Sequence, residues 1–111
     1  MNAYEIPGLR YSLPAGGAVE RHRFVTVDEN SSGIQAVANS NIIGASMNKT
    51  SAGQVLEIAD GIVMVEAAKA VTAGKLAYAD ANGKVTDTGT VVAGIVITSA
   101  VAGGLAAVKI N

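Results

Sequence analysis

Lys75-Leu76-Ala77-Tyr78-Ala79-Asp80-Ala81-Asn82-Gly83-Lys84-Val85-Thr86 holds a complete hairpin. Lys75–Ala79 reads as a strand and Lys84–Thr86 as its return. Asp80-Ala81-Asn82-Gly83 between them is the strongest turn signal in the chain. Asn-Gly is favoured where two successive residues take left-handed φ values, so a type I′ turn is expected. Short strands and tight polar turns continue on both sides.

Downstream, Asp87-Thr88-Gly89 breaks the chain again. Thr90–Thr98 is a β-branched run centred on Gly94, and Ala106–Ile110 is a closing strand. Upstream, Phe24–Val27 reads as a strand, followed by the turn Asp28–Gly33, whose side chains bond to their own backbone. Ile34–Ala38, Ile42–Met47 and Gln54–Ile58 follow as strands. Gly44 allows a bulge or a close backbone approach. Asp60-Gly61 predicts a tight turn before a fifth strand, Ile62–Glu66. Ala67–Thr72 is too short for a stable helix and reads as a loop or a single turn.

The punctuation repeats. Gly33 is matched by Gly83, Gly44 by Gly94, and Ala52-Gly53 by Ala102-Gly103, each fifty residues on. Ile42–Met47 echoes Val92–Ile97, and Val55–Ile58 echoes Leu105–Val108. The expected fold is mainly β: a small β-barrel or compact β-sandwich with two similar β units, about 24–61 and 74–111. Residues 21–111 form its single domain. Residues 1–20, with Pro7, Pro14 and Gly16-Gly17, read as an extended N-terminal arm with one short strand around Leu9–Leu13. Tyr4, Ile6, Leu9, Tyr11 and Leu13 are too apolar for a free tail. They are the candidate partner-binding residues, set against the protein's own barrel, a sister subunit or another protein.

Composition narrows the function. The chain has 111 residues, 50% hydrophobic, dominated by Ala, Val and Ile, with no Trp and one Phe. Each buried methyl contributes only about 0.8 kcal/mol, so the core is thin and calls for a partner subunit. Formal net charge is −1 and charged residues make up 15%. No basic stripe for nucleic acid is present, and Arg21-His22-Arg23 with Arg10 reads as a solvated face or a few local salt bridges. The N-terminus does not read as a secretory signal, and no apolar run approaches a membrane span.

No reactive centre emerges. Cys is absent, which removes thiol nucleophiles, thiolate metal sites and disulfides. His22 is the sole histidine and lacks companions for catalysis or metal binding. Asp28, Glu29, Asp80 and Asp87 read as turn residues, and no segment has calcium-loop spacing. Gly-x-Ser-x-Gly and phosphate-binding glycine patterns are missing. No catalytic, cofactor or metal residue is assigned, and no cofactor is expected.

Ala70–Thr86, then Val92-Ala93-Gly94-Ile95-Val96, then Ala102–Val108 resemble the small capsid cement, or head decoration, proteins of tailed bacteriophages. Ile43-Gly44, Ser51–Val55 and Gly61–Val65 agree in outline, so the resemblance covers roughly residues 20–111. It implies a non-enzymatic, β-rich virion protein on the outer capsid surface, often trimeric and seated at three-fold positions. The implied partners are the major capsid protein and further copies of this chain in a homotrimer, with no nucleic acid and no membrane. The alternatives are another phage structural module, from tail, baseplate or fibre, or a carbohydrate-binding module. The last would need an aromatic patch, and only four aromatic residues exist.

Overall fold

The computed structural model describes residues 6–110, with side chains from Leu9 onward. It is mainly β, and no helix occurs among the described residues. The strands are β1 (Ile6–Pro14), β2 (Phe24–Val27), β3 (Gly33–Gln35), β4 (Gly44–Ser46), β5 (Val55–Glu66), β6 (Leu76–Ala79), β7 (Val85–Thr86), β8 (Gly94–Val96) and β9 (Leu105–Ile110). They form one sheet in the order β3-β2-β4-β5-β9-β8-β6-β7, with β1 also paired to β5. The named pairings are all antiparallel, and the sheet curls into a half-barrel.

The long strand β5 organises this sheet. Its first half has β1 on one edge and β4 on the other, and its second half pairs with β9. The turn expected at Asp60-Gly61 is therefore absent: β5 runs straight through it. Two neighbours hold the strand extended across this point, so the local turn preference loses. Gly61 does take a positive φ of 91°. The buried positions switch there from Leu56 and Ile58 to Val63 and Val65, a change of parity along the strand. The glycine re-aims β5 instead of reversing it, and β1 shifts register opposite the same point.

Asp80–Gly83 is a turn, but not type I′. Gly83 has φ +73°, whereas Asn82 is not left-handed. Asp80 Oδ1 accepts the N–H groups of Asn82 and Lys84, both at 2.8 Å, and Asp80 N–H donates to Lys84 O. The carboxylate fills the turn, so only one residue needs positive φ. Asp28 is built the same way: Oδ1 accepts from Asn30 and Ser32 at 2.9 Å, and Ser31 has φ +63°.

Strand register recurs as well. Thr26 faces Ile34 as Tyr78 faces Thr86, 52 residues on. Val25 faces Gly44 as Ala77 faces Gly94. Ser46 faces Ile58 as Val96 faces Val108, 50 residues on. The bridges Ala15–Gly33 and Val19–Thr50 recur as Ala67–Val85 and Val71–Ala100. By register Gly33 stands where Val85 does, not Gly83. Between register-equivalent positions, the stretch from Ile34 to Gly44 is two residues longer than that from Thr86 to Gly94, which changes the offset.

Two apolar clusters result. One holds Ala15, Val19, Val25, Leu56 and Ile58, with Tyr11, Leu13 and Ile43 packed against them. The other holds the register-equivalent Val63, Val65, Ala67, Val71, Ala77 and Val108. Phe24, Ala36, Ala45 and Ala59 also belong to this second cluster, although they sit on strands of the first half or in its loops. The outer face of the first half is thus buried against the second.

Candidate interaction surface

Pro7 and Pro14 lie near the two ends of β1, and their restricted geometry favours extended backbone. β1 lies along β5 and pairs with no other strand among the described residues, so it is an edge of the sheet. The five candidate residues divide along it. Tyr4 lies outside the described residues. Ile6 faces Ile62 in the ladder. Leu9 is 58% exposed, and its N–H donates to Asp60 Oδ1 at 2.8 Å. Tyr11 and Leu13 turn towards the first apolar cluster. The Tyr11 hydroxyl donates to Ile43 O at 3.1 Å. Burial, helped by the nearby Asp60 charge, pushes its pKa up. Of the three whose side chains are described, Leu9 alone is displayed to solvent.

A second surface was not singled out from the sequence. A groove of about 420 Å³ runs beside β6, lined by Lys75, Leu76, Tyr78, Asp87, Val71 and Val96 among others. Leu76 is 47% exposed, and its ladder neighbour Ile95 is 42% exposed. Lys69 pairs with Asp87 at 3.0 Å on its rim. The signal that could have found it was the repeat read at an offset of 52. Leu76 then aligns with Phe24, a large apolar residue on the same strand position.

A polar arrangement joins the two halves. Arg23 Nη1 donates to Asn82 O at 3.2 Å, and Phe24 N–H donates to Gly83 O at 2.7 Å. Glu66 Oε2 meets Lys84 Nζ at 3.1 Å, and Oε1 meets Arg23 at 3.5 Å. The Lys84 hydrogen bond holds the Glu66 carboxyl below the usual carboxylate range, with the Arg23 and Lys84 charges adding to it against the opposing effect of burial.

His22, Asp28 and Asp80 do not line the groove. Asp28 and Asp80 spend their Oδ1 atoms on backbone N–H groups. Among the described residues, no three His, Asp or Glu side chains converge on a point where a metal could sit.

The phage cement protein family matches residues 5–110. The chain belongs to that family. It is accordingly a non-enzymatic structural protein of the phage virion, with a decoration role at the outer capsid surface. No curated protein shows significant sequence similarity to it. In the crystal structure of the head fibre gp8.5 N base in bacteriophage phi29, the fold is similar, with a TM-score of 0.74 over 93% of each chain. Sequence identity is 15%, so this likeness concerns the fold.

Proposed function

We propose that this protein binds the major capsid protein as a homotrimer and clamps the expanded shell. The observation that carries the reading is the edge strand β1, paired on one side and displaying Leu9. An unpaired strand edge is a template for adding a strand from another chain. Several such edges in one trimer would engage neighbouring capsomers together, and their modest affinities would combine by multivalency. A protein that binds only the intact, expanded shell adds its binding free energy against disruption.

The proposed architecture of each unit is finer than a curled sheet. The parallel bridges Ala15–Gly33 and Ala67–Val85 draw the ends of each half together. We take the halves as two similar β units, each approaching a small barrel, within one domain that incorporates the arm.

Leu9→Asp tests the capsid contact. The site is exposed, so the fold should survive, and affinity for undecorated heads should fall while oligomer mass stays constant. Unchanged affinity would remove β1 from the contact. Deleting residues 1–13 is the poorer test, because it strips Tyr11 and Leu13 from the core.

A second reading draws on the fold likeness to a head fibre base. The protein would then be a seat on the head surface for a larger appendage. Cryo-electron microscopy of decorated heads separates the two: bare knobs fit the clamp, and attached extended density fits the seat.

A further inference from the structure

We infer that the groove beside β6 receives the Asp28–Ser32 turn of a second copy of this chain, joining copies head to tail. The inference rests on the self-association proposed above and adds the surface that performs it. It begins from register. The groove residues Val71, Lys75, Leu76, Tyr78 and Asp87 stand 52 positions after Val19, Arg23, Phe24, Thr26 and Gln35. In the first half that equivalent site is occupied. The Asp80–Lys84 turn fills it, with Phe24 N–H bonded to Gly83 O and Arg23 bonded to Asn82 O. Gly83 lies against Gln35, Ala36 and Phe24 so closely that a Cβ there would come within 3.0–3.2 Å of them.

The chain therefore displays what covers such a site: an Asp-x-Asn turn with a left-handed fourth residue. It also contains another copy of that turn. Asp28-Glu29-Asn30-Ser31-Ser32 has the same carboxylate-to-backbone bonds and the same left-handed position, now at Ser31. Glu29 and Ser31 are exposed. Phe24 is fully buried under its turn, whereas Leu76 is half-exposed in an open groove.

Orientation and charge agree. Val96 N–H donates to Lys75 O, which makes Leu76 and Ile95 a non-hydrogen-bonded pair. The Leu76 N–H then points away from β8, as the Phe24 N–H points away from β4 to reach Gly83. An incoming Ser31 carbonyl would take the place of the Gly83 carbonyl, and Lys75 would donate to Asn30 O as Arg23 does to Asn82 O. Exposed Lys75 on the groove complements exposed Glu29 on the turn. Because turn and groove are different surfaces, the contact is heterologous, and it yields a closed ring when the rotation between copies closes.

Sedimentation equilibrium of the full chain tests this with three variants. Leu76→Glu and Lys75→Glu spoil the groove, and Ser31→Lys blocks the turn; all three sites are exposed, so circular dichroism should stay native. Each variant alone should lose the wild-type oligomer. A mixture of Leu76→Glu and Ser31→Lys should form a 1:1 dimer, since that pair retains one intact turn and one intact groove. Ser31→Gly should tighten assembly at least several-fold by reproducing Gly83. If the wild type is oligomeric and the variants remain so, the surface is wrong while self-association stands. If the wild type is monomeric at every concentration, self-association and this inference fall together. If Leu76→Glu keeps the oligomer but loses head binding, the groove belongs to the capsid protein and the inference is overturned.

Discussion

The backbone N–H of Phe24 donates to the carbonyl of Gly83 at 2.7 Å, across the junction of the two halves. A single hydrogen bond contributes only about 0.5–1.5 kcal/mol. This one sits beside the only phenylalanine, which is fully buried, and beside the Arg23–Glu66–Lys84 ion pairs. The junction therefore unites apolar burial, backbone bonding and charge in one place. Its parts can be separated by substitution.

Gly83→Ala meets two penalties. The residue has φ +73°, and its new methyl would crowd Gln35, Ala36 and Phe24. Gly53→Ala meets only the first, since φ is +84° and the space around it is open. Left-handed geometry costs a non-glycine residue about 1–2 kcal/mol. Urea denaturation should show Gly53→Ala destabilised by that amount and Gly83→Ala by clearly more. Equal losses would mean that the turn is not tightly seated.

Gly94→Ala should be among the most damaging single-methyl additions. A Cβ at Gly94 would overlap Lys109 O, and at the register-equivalent Gly44 it would press on Ala59 O. The obstacle in both cases is backbone in a paired strand, which yields little. Overpacking of this kind costs about 1–3 kcal/mol or more. The midpoint of urea unfolding for Gly94→Ala should fall accordingly, with Gly44→Ala close behind.

Phe24→Ala should remove about 3–5 kcal/mol, the range for truncating a buried aromatic residue. Leu76→Ala, at the equivalent but half-exposed position, should change monomer stability by roughly 0.5 kcal/mol or less. Both values come from chemical denaturation at low protein concentration, where assembly does not contribute. A large loss for Leu76→Ala there would mean that the groove is part of the folded core.

Acid should weaken the junction through Glu66. Its folded pKa lies below the unfolded value because Lys84 and Arg23 favour the carboxylate. The associated stability is fully present above the unfolded pKa and disappears as pH falls through the depressed folded value. Glu66→Gln should lower stability at neutral pH and flatten its decline between neutral and strongly acidic conditions. Urea midpoints across that range, for wild type and variant, give the comparison.

Much of the strand pattern was legible from local signals. Phe24–Val27 is β2 with the expected limits, and Leu76–Ala79 and Val85–Thr86 are the hairpin strands around Asp80–Gly83. These segments carry β-branched and alternating residues between strong turn formers, so local preference and final structure agree. The ladder neighbours Leu76 and Ile95 were readable as apolar strand residues too. Their exposure was not, because periodicity does not tell which face another part of the chain will cover.

By itself, the sequence determined a mainly β chain with glycine-marked turns and a periodic echo, and it carried the resemblance to phage cement proteins. Tertiary structure decided that Asp60-Gly61 continues a strand, since pairing partners on both edges of β5 outweigh the preference of two residues to turn. It also decided that Phe24 is buried and Leu76 is open, although both stand at the same position of matching strands. Burial is a property of what arrives from a distance: the Asp80–Lys84 turn reaches the first site, and within the described residues no turn reaches the second.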